Sequence, residues 1–231
     1  MHFLNSGTGY ALFEYEAQKD SYVDKSLLID AVFQYARRTN KYICVTRPRR
    51  FGKSTAANMI AAFFDESTKE ESRELFEELA IGGLKDEQDE TYKTRPRQPL
   101  CWPRQGKLKV ILINMINLVA ENTKSYEDIC RKLNRLMLSD LRQSYPELPL
   151  EEGIEIPEAL SNTGDQFIFI IDEWDSVFEL PFMTENNKRD YLLFLKALLK
   201  DQKYVYFAYM TGILPIAKYS SGSPLNMFEE F

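Results

Sequence analysis

Apolar and polar positions alternate between two periods along this chain. Short, mostly apolar runs sit at 42–45 (YICV), 108–116 (LKVILINMI), 167–171 (FIFII) and 204–210 (YVYFAYM). Their length and β-branched or aromatic content predict buried strands. Between them the apolar residues recur three and four apart. This predicts helices over 23–38, 53–64, 69–79, 125–145 and 187–199. Thr68 and Glu71 have the spacing of a capping box for the third of these. Segments 82–107 and 146–166 show neither period and are read as irregular, the former as an insertion. Strands apolar on both faces, alternating with helices, predict an α/β fold with a mainly parallel sheet flanked by helices. Such sheets bind ligands at the carboxyl ends of their strands.

Composition narrows the function classes. The 231 residues carry 29 basic and 35 acidic side chains, a net charge of −6. That argues against a whole surface built to coat nucleic acid, but leaves room for a local basic site. Three scattered cysteines and one histidine, His2, exclude a zinc cluster or an interior Ser-His-Asp triad. No run approaches a membrane span, and the N-terminus lacks the regions of a signal peptide. A soluble cytoplasmic protein with no membrane partner is expected.

Three strand ends carry the candidate chemistry. The first, Thr46 to Thr55 (TRPRRFGKST), ends in the Gly52-Lys53-Ser54 of a P-loop. Glycine lets backbone N–H groups approach phosphates, and the following helix offers its N-terminal amides and dipole. Lys53 would reach the β- and γ-phosphates and Ser54 would ligate Mg²⁺. Arg47, Arg49, Arg50, Phe51, Gly52 and Thr55 complete the nucleotide-binding set. Arg47 stands where a P-loop has its first glycine. The second strand end is Asp172-Glu173-Trp174-Asp175. Two acids closing a buried strand need a cation. Asp172 is placed on Mg²⁺ and Glu173 as the base that activates water, with Asp175 structural. At the third, Thr211 is a candidate sensor of the γ-phosphate.

These residues resemble the predicted AAA-ATPase-like family of P-loop proteins, widespread in bacteria. The matching segments are Tyr22–Lys25, Arg47–Ser54, Ile170–Asp175 and Met210–Ile216. The arginine in the first-glycine position is typical of that family. The resemblance implies a P-loop NTPase domain over residues 1–231, an additional-strand sheet, and ATP with Mg²⁺ as cofactors. Residues 108–116 are expected to be the strand inserted between the two phosphate-site strands. A sheet ordered 5-1-4-3-2 and incomplete at its C-terminus would leave 42–45 as an exposed edge, open to self-association or a protein partner. The implied function is ATP binding with Mg²⁺-dependent hydrolysis in a regulatory or motor-like module. The alternatives are a non-hydrolysing nucleotide switch and a subunit of a nucleic-acid-processing system.

Overall fold

The computed structural model describes residues 2–83, 99–119, 123–151, 153–216 and 224–231. In chain order the helices and strands are α1 (Thr8–Ala17), α2 (Leu27–Arg38), β1 (Tyr42–Thr46), α3 (Lys53–Phe64) and α4 (Lys69–Glu77). They continue with β2 (Lys109–Asn114), α5 (Met115–Val119), α6 (Tyr126–Ser144), α7 (Ile156–Asn162), β3 (Phe167–Asp172), α8 (Glu185–Leu199), β4 (Val205–Gly212) and β5 (Glu229–Glu230). All four strand pairs are parallel, in the order β2-β3-β4-β1-β5.

The all-apolar strands bury both faces, as their composition requires. Ile168 and Ile170 of β3 pack with Ile43, Phe207, Tyr209 and the α3 residues Ile60, Phe63 and Phe64. Phe167, Phe169 and Ile171 face the other way, toward Leu133, Met137 and Leu141 of α6 and Leu195 and Leu198 of α8. The two-residue period of the strand thus divides one sequence run between two cores. The sheet's position relative to α3 follows from that division.

Three expectations are corrected. The strand between the two phosphate-site strands is β4, whereas the 108–116 strand lies beyond β3. The crossover after β1 skips two positions that β3 and β4 fill later, so chain order misplaces it. The β1 edge is also not open. Glu229 and Glu230 pair with Ile43 and Cys44. The backbone N–H of Phe231 donates to Cys44 O at 2.9 Å, and that of Thr46 to Phe231 O at 2.9 Å. The edge-to-edge route to self-association therefore meets an edge already paired. Finally, Thr68 precedes α4 without a side-chain capping bond, and its hydroxyl is buried without a partner.

The β2 edge is closed by the other end of the chain. Leu4 bridges Ile111 in antiparallel sense, and Asn5 N–H donates to Val110 O at 2.8 Å while Leu112 N–H donates to Phe3 O at 2.9 Å. Helices α1 and α7 fall in segments read as mixed or irregular. Much of 82–107 lies outside the described residues. Its end, 99–107, is described and contains a short 3₁₀ turn at Trp102–Arg104.

Candidate active site

Strand β1 delivers the basic loop to the N-terminus of α3. Pro48 extends the chain after the strand, and the turn closes through two left-handed residues, Arg50 (φ 71°) and Gly52 (φ 77°). Gly52 is the N-cap of α3, where a residue without Cβ adopts that conformation at little cost. Arg50 has no such freedom, and a left-handed residue with a side chain costs about 1–2 kcal/mol. Arg47, Arg49, Arg50, Phe51 and Gly52 are exposed, and Ser54 and Thr55 half-buried. Lys53 is buried, 6% exposed. Its ammonium donates to Pro48 O at 3.2 Å and lies 3.6 Å from Glu173 Oε1. The residue with the P-loop lysine's position thus reaches back over its own loop to the acidic strand end.

Strand β3 ends at Asp172, which is buried. One of its carboxylate oxygens accepts a short hydrogen bond from the Thr211 hydroxyl, the other a bond from Asn114 Nδ2 at 2.9 Å. Glu173 follows in the left-handed region, φ 54°, and its N–H donates to Thr211 Oγ1 at 3.3 Å. This turn points the Glu173 side chain at Lys53. Burial pushes the Glu173 carboxyl above its ordinary 4.5, with Lys53 pulling the other way and the neighbouring Asp172 and Asp175 adding to the rise. Thr211 is fully buried, its hydroxyl engaged by Asp172 and Glu173 together.

Trp174 and Asp175 lock this loop to the end of β4. Trp174 N–H donates to Thr211 O at 3.0 Å. Asp175 Oδ2 accepts from Ile213 N at 2.8 Å and from Leu214 N. Between them lies Gly212, where a Cβ would fall within 3 Å of both the Trp174 indole and Asp175 Oδ1. Arg47 N–H donates to Gly212 O at 3.2 Å, so the basic loop starts from the same junction.

Six of the expected site residues divide between two cavities on different faces of α3. Ser54 and Asp172 line one of about 260 Å³ with Asn58, Asn114 and Asn117. Arg50, Phe51, Gly52 and Thr55 line another of about 480 Å³ with Tyr22, Lys25 and Met59. Positions 54 and 58, and 55 and 59, are each four apart, which places each pair on its own helix face. Arg49 turns outward to the exposed Glu179 at 3.6 Å. Asn114 escaped the sequence reading. Its signal was available: a polar residue closing an apolar strand, as Asp172 and Thr211 do.

A family model described as Predicted AAA-ATPase matches residues 11–221. The chain belongs to that family. The match contains the basic loop, the acidic strand end and Thr211, the segments that meet in space. Among solved structures the chain is similar to the Walker-type ATPase of Pyrococcus abyssi. The identity is 12% and the TM-score 0.48, over 92% of this chain and 55% of that one. The chain thus spans about half the length of that neighbour. A search of curated proteins finds no match. Among the described residues of this family member, no helix is long and apolar enough to cross a membrane.

Proposed function

We propose that residues 1–231 form an ATP-binding domain that hydrolyses ATP, with phosphates held on residues 47–55 and Glu173 as general base. The observation that supports this most is the Lys53–Glu173 ion pair, 3.6 Å across the junction of two strand ends. A lysine at a helix N-terminus and an acid after the neighbouring-but-one strand form a pair that two apolar residues could replace at little cost to folding. Exposed pairs contribute little and buried ones cost desolvation. Phosphate gives the pairing a purpose. Without ligand, the ammonium is shared between Pro48 O and Glu173. A γ-phosphate draws Lys53 away, and the carboxylate is then free to take a proton from water. The raised Glu173 carboxyl suits a base better than an ordinary glutamate would. Thr211 works in this reading as a positioning residue, orienting Asp172 and the Glu173 backbone.

Ser54 and Asp172 would hold Mg²⁺ from within one cavity. No cluster of three metal-binding side chains occurs among the described residues. Two protein oxygens suit an ion that keeps water and takes phosphate oxygens for its remaining ligands. The ion, when bound, supplies charge neutralisation between the β- and γ-phosphates.

Melting temperature with and without MgATP tests the binding. At about 100 times Kd the ligand contributes about 2.7 kcal/mol, roughly 5–10 °C for a chain of this size. Lys53→Ala is expected to abolish the shift, and no shift in the wild type at millimolar MgATP overturns the reading. Glu173→Gln is expected to retain the shift and lose phosphate release. A chain that binds but releases no phosphate even with Glu173 present is instead a nucleotide switch. The exposed Arg47, Arg49 and Arg50 favour a nucleic-acid role, which a steep salt dependence of DNA binding would reveal.

A further inference from the structure

Phosphates seated on the loop amides at the start of α3 leave the rest of a nucleotide two exits, one on each of two faces of that helix. The cavity shared by Ser54 and Asp172 has a polar side, Asn58, Asn114 and Asn117, and an apolar side, Phe3, Leu12 and Leu112. Its polar side suits a metal, its waters and the terminal phosphate. The larger cavity lies between residues 21–25 and the opposite face of α3. Tyr22, Val23, Phe51 and Met59 give it aromatic and aliphatic surface, and Lys25 and Arg50 give it cations.

This second wall is built rather than incidental. Asp24 fixes the segment, one carboxylate oxygen accepting from Ser26 N at 2.7 Å and the other from Ala80 N at 2.7 Å. The bend this creates holds Lys25 over the phosphate loop, with Nζ 3.9 Å from where a Cβ on Gly52 would stand. Val23 and Phe51 are left 68% and 61% exposed on the same cleft. Single exposed apolar residues are ordinary. Two of them flanking one cleft, beside a cation aimed at a phosphate loop, fit a flat aromatic ligand carrying negative charge at one end.

We propose that this cleft takes the base and ribose of the nucleoside triphosphate, with Phe51 and Val23 against the base and Lys25 as a phosphate contact from outside the loop. The proposal rests on the phosphate-loop reading given above. It assigns a binding role to Val23 and Lys25, far from the loop in sequence, and makes the nucleoside half a source of affinity. Stacking accepts any base, so the cleft distinguishes nucleotides from bare polyphosphate more strongly than one base from another.

Calorimetry on the full chain separates the two levels, with MgATP and magnesium tripolyphosphate as probes. Wild type is expected to bind MgATP at least ten-fold more tightly than tripolyphosphate. Val23→Ser, at an exposed position, should bring MgATP down toward the tripolyphosphate level and leave tripolyphosphate itself unchanged, and Phe51→Ala should weaken MgATP more than tripolyphosphate. Lys25→Ala should weaken both ligands, about five-fold or more. Equal affinity of wild type for the two ligands, or a Phe51→Ala chain that keeps the MgATP advantage, overturns the cleft and leaves the phosphate loop intact. Selective loss of MgATP in Leu12→Glu places the base in the other exit and also overturns it. Failure of both ligands to bind overturns both readings.

Discussion

The basic loop after β1 and the acidic loop after β3 meet across one ion pair, and they are held in opposite ways. Arg47, Arg49, Arg50 and Phe51 stand in solvent, and Arg49 reaches only as far as the exposed Glu179. Asp172, Trp174 and Asp175 are buried and bonded to Thr211, Asn114, Ile213 and Leu214. Folding therefore fixes the acidic side in advance. Its cost, a left-handed Glu173 and buried carboxylates, is offset by hydrogen bonds made once and kept. The basic side is anchored at its ends, by Arg47 N–H and by Lys53, with its remaining cations free to adapt to an anion. Substitutions of the buried Asp172, Trp174 and Asp175 should thus act on stability, and those of the exposed Arg47, Arg49 and Arg50 on ligand affinity.

The sharpest break of that contrast is Gly212→Ala. The new methyl meets the Trp174 indole and Asp175 Oδ1 inside 3 Å, and both of those residues are buried. Overpacking of this kind costs about 1–3 kcal/mol and more where nothing can move. The expected result is a fall in the urea midpoint of the free chain at the upper end of that range. Asp175→Ala comes next. It strips the acceptor from Ile213 and Leu214 N–H in a buried site, where bonds to a charged group are worth about 1.5–3 kcal/mol. A drop in melting temperature of roughly 3–12 °C follows for a chain of this length. Unchanged stability in either variant would mean that the acidic loop is not held by its bonds to β4.

How much of this was legible follows the same division. The strands and α3 could be read because burial on both faces leaves unbroken apolar runs, and because GKS marks where a strand becomes a helix. Helix α1 could not. Tyr10, Leu12, Phe13 and Tyr15 fall around its circumference, with Phe13 buried and Leu12 and Tyr15 exposed, so its sequence shows no single stripe. Helix α7 is a seven-residue element opening at Ile156-Pro157, too short for a period to show. The two-residue β5 has no hydrophobic signal, since it is defined by backbone pairing with β1. Site residues were read by type and motif, which found Lys53, Asp172 and Glu173 but could not show that Thr211 spends its hydroxyl on the acids. That Asp175 grips two amides of another loop is likewise a fact of three dimensions. The position of β4 between β3 and β1 is a matter of crossover that local sequence does not show, and it came instead from the family resemblance, whose 5-1-4-3-2 order is the one observed.

The smallest effect is the most discriminating, because it asks whether the basic side contributes to folding at all. Arg49 and Glu179 are 74% and 70% exposed along their side chains, with N and O 3.6 Å apart. Such pairs are worth about 0–1 kcal/mol and are screened by salt. Arg49→Ala, Glu179→Ala and the double variant should therefore show a coupling in urea unfolding below about 0.5 kcal/mol. Ligand should separate the two partners. If Arg49 serves the phosphates, Arg49→Ala weakens MgATP binding several-fold. Glu179→Ala leaves it unchanged or slightly tighter, since the arginine then loses a competing anion. Should both variants weaken MgATP equally, the pair would be a structural strut. The basic loop would then be as fixed by the fold as the acidic one.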